Sequence, residues 1–171
     1  MDPLIEKVKS ALSQLGVEPK VVVFGQTTKT AQEAADQLGV ALGQIVKSLL
    51  FIADEEPVLV LTAGPNRADA KLLREILGKK KVRLADPETV FKVTGYPVGG
   101  VPPVGHPRPL RVLMDEDLFN VGADPSVCPS DKGTHTGVPL LYCGAGTDNA
   151  MLEIEAEKLK EITQAEVVRV G

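Results

Sequence analysis

The apolar positions of the chain change period several times, and each change marks an element. Leu4, Val8, Leu12 and Leu15 recur at helical spacing before Gly16, with Asp2 able to cap and Pro3 suited to the first helical position. An amphipathic helix, a lid or flank, is therefore expected at the start. Lys20-Val21-Val22-Val23-Phe24 is β-branched and of strand length. Thr30-Ala31-Gln32-Glu33 forms a capping box and Gly39 is a natural stop after Leu38, which brackets a second helix. Ile45 to Ala53 and Val58 to Thr62 then read as an antiparallel hairpin around the polar turn Asp54-Glu55-Glu56-Pro57.

The second half is less regular. The pattern predicts a helix from about Asp69 to Leu77 stopped by Gly78, a short strand near Val82 to Leu84, and a short helix opened by Asp86-Pro87. Gly95 to Pro109 is a loop with four glycines and five prolines. Strands are expected at Leu110 to Met114, Val138 to Cys143, Met151 to Ile154 and Val167 to Val170, with a polar region from Asp115 to Gly137 and a helix from Glu155 to about Thr163. Hairpins interspersed with helices, without the regular strand and helix alternation of a doubly wound sheet, indicate an α+β fold. The expectation is a single domain over residues 1–171, a curved mixed sheet flanked by helices.

Composition narrows the function classes. No apolar run approaches the roughly 18 residues of a membrane span, and the acidic start Met1 to Glu6 lacks the basic, apolar pattern of a secretory signal, so the cytoplasm is the expected compartment. A net charge of −4 argues against coating long nucleic acid through a general positive field. Between Arg67 and Arg83, however, seven basic residues stand against two acidic ones. That cluster is either a solvated helix face or a docking patch for phosphates. A tetrahedral zinc site would need Cys128, Cys143, His106 and His135 together, so no metal is expected, and without a GxGxxG or GxxxxGK(S/T) loop no cofactor is expected either.

Four features could carry chemistry. Lys47 interrupts the apolar run Ile45 to Phe51, and its ammonium either points into a pocket as a point charge or lies on the solvent face of an edge strand. Gly99-Gly100-Val101-Pro102-Pro103-Val104-Gly105 combines permissive with locked dihedrals; it either presents bare backbone groups to a ligand or is a rigid connection. Cys143-Gly144-Ala145-Gly146-Thr147 lets a backbone pass close to a ligand or to another strand, and it lacks the order of a dinucleotide loop. His135 is a loop imidazole able to orient water or a hydroxyl, or an exposed surface histidine. The cysteines read better as small buried thiols than as nucleophiles, and Ser48 has no GxSxG elbow around it.

Glu33 to Gly39, Ile45-Val46-Lys47-Ser48-Leu49-Leu50, Ala85-Asp86-Pro87 and Thr94 to Gly105 resemble, in order and spacing, the YbaK and prolyl-tRNA synthetase-associated editing domain family. The resemblance implies a free-standing, metal-free editing domain that hydrolyses the ester of a mischarged aminoacyl-tRNA without a covalent intermediate. It assigns catalysis to Lys47, Gly99, Gly100, Val101 and His135, with Lys47 as the pocket lysine and Gly99 to Pro103 as the family's G-x-x-x-P loop. The substrate side takes Phe24, Thr30, Pro102, Pro103, Gly144, Ala145, Gly146 and Thr147, and the local positive charge noted above offers Lys71, Arg74, Lys79, Lys80 and Lys81 as tRNA contacts. The implied substrate is tRNA for proline carrying cysteine or alanine, alanine if His135 takes part, with prolyl-tRNA synthetase as a possible partner. The alternatives are a non-catalytic module that binds a tRNA acceptor end or a synthetase, and a hydrolase of small esters or amides.

Overall fold

The computed structural model of the chain describes residues 2–26, 30–64, 66–108, 110–119 and 140–170. Helix α1 (Pro3–Gln14) is capped by the Asp2 carboxylate on the Leu4 amide and buries Ile5, Val8 and Leu12. Strand β1 (Lys20–Val23) leads to α2 (Ala31–Leu38), whose Thr30 hydroxyl accepts from the Glu33 amide and whose end is the left-handed Gly39. A short 3-10 turn, Leu42–Gln44, which the pattern did not predict, delivers the chain into β2 (Val46–Ala53).

Strand β3 (Glu56–Ala63) returns antiparallel to β2 through a two-residue turn, Asp54 and Glu55, both at positive φ. The turn is shorter than expected, because Glu56 and Pro57 already belong to the strand. Pro57 is accommodated there because it precedes Val58, where pairing with the next neighbour starts. Helix α3 (Ala70–Leu77), strand β4 (Val82–Leu84) and helix α4 (Pro87–Thr94) follow, the two helices capped by Asp69 and Asp86. Beyond the Gly95 loop come β5 (Arg111–Asp115), a 3-10 turn at Glu116–Phe119, β6 (Leu140–Gly144), β7 (Ala150–Glu155), α5 (Ala156–Thr163) and β8 (Glu166–Val168). Among the described residues no helix is long and apolar enough to cross a membrane.

The fold is α+β, and the expected curved sheet resolves into two. One has the order β1-β7-β6; the other is mixed, in the order β4-β2-β3-β5-β8, with β5 parallel to β3 and β8 parallel to β5. A parallel bridge between Ile45 and Tyr142 joins them. Alternation along each strand sorts the apolar residues into three clusters. Val46, Leu50, Leu59, Leu61, Val112 and Met114 face Leu141, Cys143 and Leu152 across a main core that also takes the buried face of α1. Each such side chain removed from water contributes roughly 1.5–3 kcal/mol. On the outer face of the larger sheet, Phe51, Val58, Val60 and Leu113 pack beneath Leu73 and Leu77 of α3. On the outer face of the smaller sheet, Ile45, Tyr142, Met151 and Phe24 pack beneath Ala34 and Ala35 of α2.

Candidate active site

Lys47 stands where the two outer faces meet. It shares a face of β2 with Ile45, which packs under α2, and with Leu49, which packs against the α3 cluster. Ser48 faces the opposite way, toward the main core, and its buried hydroxyl has no hydrogen-bond partner among the described residues.

The surroundings of Lys47 are polar on one side. Lys47 pairs with Thr62 in the β2–β3 register, and the parallel β3–β5 register runs through Leu61 and Met114, so Asp115 follows at the level of Thr62. Lys47, Thr62 and Asp115 therefore form a polar row across three strands, at the end of a face that is otherwise apolar. Thr62 is fully buried and Asp115 is 2 % exposed. The Lys47 ammonium donates to the backbone carbonyl of Asn66, and the Asn66 amide nitrogen donates to Asp115 Oδ2 at 2.8 Å and Asp117 Oδ2 at 2.7 Å. Asp115 also accepts from the amides of Ala63 and Asp117. Asn66 thus holds the lysine with its main chain and the carboxylates with its side chain. Burial lowers the Lys47 pKa below the usual 10.5, the neighbouring Arg67 guanidinium lowers it further, and Asp115 opposes both.

The glycine-rich loop and the glycine turn are pressed together. A Cβ on Gly100 would lie 2.8 Å from the Thr147 backbone, and one on Gly144 would lie 2.7 Å from the Val101 carbonyl oxygen. The Gly146 amide donates to the Gly100 carbonyl at 2.8 Å, and a Cβ on Gly146 would meet the Leu4 carbonyl of α1 at 2.8 Å. Only residues without side chains permit this stacking of α1, turn and loop. Alternation along β6 puts the missing Gly144 side chain on the face of Tyr142, and the bridge puts Tyr142 on the face of Ile45. Lys47 on β2 and Gly144 on β6, against which the Val101 carbonyl packs, therefore each follow the bridge by two residues on the same face, while the Lys47 ammonium itself turns toward Asn66.

The remaining predicted residues distribute as follows. Phe24 is buried on this same face, Pro102 and Pro103 are buried in the loop, Ala145 is fully buried, and the Thr147 hydroxyl bonds to Asn149 Oδ1. Thr30 has its hydroxyl engaged as the cap of α2. Lys71 and Arg74 are exposed on α3, Lys79 is paired with Glu56 at 3.3 Å, and Lys80 and Lys81 donate their main-chain amides to Asp54. That basic run begins at Arg67, next to Asn66, and so leads away from the Lys47 site. His135 and Cys128 lie outside the described residues. Cys143 is fully buried and its thiol pKa is pushed far up by burial, as suits a core residue. Asn66, Thr62, Asp115, His106 and Tyr96 were not read from the sequence as site residues. For Thr62 and Asp115 the available signal was a polar residue at the end of an alternating strand, and for Tyr96 and His106 it was their place in the glycine- and proline-rich loop.

Comparison with known proteins identifies the family of the chain. The aminoacyl-tRNA editing domain family matches residues 26–162. The uncharacterized protein YwhH of Bacillus subtilis is 28% identical over 164 residues, covering 95% of this chain and 93% of that protein. The proline–tRNA ligase of Ligilactobacillus salivarius is 33% identical over 139 residues, 81% of this chain but 23% of the ligase, so the chain spans under a quarter of that enzyme's length. A crystal structure of a protein proposed to be a trans-editing enzyme for prolyl tRNA synthetase superposes with a TM-score of 0.85 at 35% identity, covering 99% of this chain and 98% of that one. The chain belongs to the aminoacyl-tRNA editing domain family.

Proposed function

We propose that the chain is a trans-acting deacylase that hydrolyses the ester of mischarged tRNA, with tRNA for proline carrying alanine or cysteine as its substrate. The observation that carries this reading is a partly buried lysine, Lys47, two residues past the Ile45–Tyr142 bridge on the strand face on which Gly144 receives the Val101 backbone. An aminoacyl ester is already activated, so it needs an oriented water and a place for negative charge rather than a nucleophilic triad. A water oxygen adds to the ester carbonyl, and the carbon–oxygen bond to the ribose breaks. The water's proton passes to the departing ribose oxygen, leaving a free amino acid and an intact tRNA end. Backbone groups of Gly99 to Pro103 hold the aminoacyl moiety, and the Lys47 ammonium neutralises the developing oxyanion or an adjacent phosphate. His135 is assigned to the choice of alanine over cysteine, and Lys71 and Arg74 to the phosphates of the acceptor arm. The setting is the cytoplasm, where charged tRNA and prolyl-tRNA synthetase, the proposed partner, are found.

The test is deacylation of tRNA-proline charged with alanine, cysteine, serine or proline, with wild type beside Lys47→Ala. Selective release that depends on Lys47 supports the reading and names the amino acid. Binding of the acceptor end with no release from any sample would replace it with a non-catalytic binding module.

A further inference from the structure

We propose that His106 is a positioning residue, which sets the stance of the Gly99 to Pro103 loop through a hydrogen bond to the Pro102 carbonyl oxygen. Within Gly99–Pro103 the two prolines have no amide to donate, so the loop cannot brace itself with a regular backbone ladder. Its front is braced by the Gly144–Thr147 turn, main chain to main chain. At Pro103 the loop borders a cleft lined by His106, Arg108, Leu110, Ile162 and Gln164. Side chains hold it there. His106 Nε2 lies 2.8 Å from the Pro102 carbonyl oxygen, and the Tyr96 hydroxyl donates to the Gly105 carbonyl at 3.1 Å.

The two rings brace each other. Tyr96 is fully buried, and the rings meet edge-on, with centroids 6.4 Å apart at 84°. Lys7 of α1 sits 5.1 Å from the centre of the tyrosine ring. Since a carbonyl can only accept, the bond fixes the tautomer: Nε2 carries the proton. Burial keeps the imidazole pKa below its ordinary value, so the neutral donor form persists at neutral pH. The ring thus anchors the carbonyl of the residue that follows Val101, whose own carbonyl abuts Gly144. A displacement at Pro102 is carried directly into the Val101 carbonyl packed on Gly144.

This assignment rests on the deacylase reading for its kinetic test, but not for its structural one. His106→Phe keeps a ring and removes the donor, His106→Gln restores a donor at similar reach, and His106→Ala removes both. In deacylation of whichever charged tRNA the panel above shows to be released, we expect His106→Phe and His106→Ala to lower kcat roughly tenfold to a hundredfold with KM within about twofold, and His106→Gln to recover most of it. In parallel, amide hydrogen exchange of the peptide spanning residues 97–106 should quicken in His106→Phe and return toward wild type in His106→Gln, with β2 and β3 unchanged. His106→Phe with wild-type kcat and exchange would overturn the proposal, as would losses that His106→Gln does not repair. If the wild type releases nothing, the deacylase reading fails and the exchange comparison alone decides whether His106 holds the loop.

Discussion

Gly144 and Val101 touch through the space that a side chain would occupy, with 2.7 Å between a Cβ at Gly144 and the Val101 carbonyl oxygen. Neither partner can yield cheaply, because both are main chain. Gly144→Ala is therefore expected to destabilise the protein by about 1–3 kcal/mol and to shift the loop. Gly25→Ala, where a Cβ meets nothing within 4 Å, should be close to neutral. Chemical denaturation of the two variants side by side checks the contrast, and equal midpoints would remove the close approach from the account.

Lys47 supplies a prediction about pH. Its ammonium is disfavoured by burial and by Arg67, so it loses its proton below 10.5. If the cation is what acts, the enzymatic rate falls as pH rises through that lowered value. Lys47→Ala should show almost no turnover at any pH, and Lys47→Arg should lack the alkaline limb, because a guanidinium stays charged. Rate profiles corrected for spontaneous ester hydrolysis measure this. An identical limb in Lys47→Arg would assign the titration to another group.

Asn66 bridges two carboxylates that would otherwise confront each other. Asn66→Ala removes donors from the buried Asp115 and is expected to cost about 1–3 kcal/mol. Asn66→Asp adds a third carboxylate and should cost more, with the difference shrinking in high salt or at acid pH. Urea unfolding of both variants at two salt concentrations tests the ordering.

The polar row at Lys47 shows where sequence reading reaches its limit. Caps and stops such as Asp86-Pro87 and Thr30 with Gly39 were legible because each is settled within a few residues. The loop and the glycine turn were each legible as unusual, but their contact depends on strands far apart in the chain. Asp115 was read as the start of a polar region, whereas it ends β5 and is buried. Its place beside Thr62 follows only once β5 is known to pair in parallel with β3, and sequence alternation carries no information about which strand lies next to which.

The exposed charges of α3 make a prediction about salt. If Lys71 and Arg74 meet phosphates, KM rises with ionic strength, and replacing either by glutamine lowers the slope of log KM against log salt by about one while leaving kcat unchanged. Lys79 is already paired with Glu56 and should contribute less than its neighbours. A KM insensitive to salt would favour a small ester substrate.

Two exposed aspartates contribute to the response to acid. Asp54 accepts from the amides of Lys80 and Lys81, and Asp86 accepts from Thr89, which holds both below 3.8 in the folded chain. Their contribution is complete above about pH 4 and is lost as pH falls through the lower folded values. Thermal melts from pH 2 to 6 should therefore fall less steeply in Asp54→Asn and Asp86→Asn than in wild type. Parallel curves would place acid sensitivity elsewhere.

The stacking of Gly100, Gly144 and Gly146 against main chain has a consequence for how the protein tolerates mutation. A wall built from peptide groups is the same whatever side chains its residues carry, so most single substitutions leave its chemistry in place. Fragility is concentrated in the few glycines that allow the approach, while residues elsewhere on the same face remain free to vary. If the ester is held against this wall, as proposed above, the choice of amino acid can change through the surrounding side chains while the wall itself stays as it is.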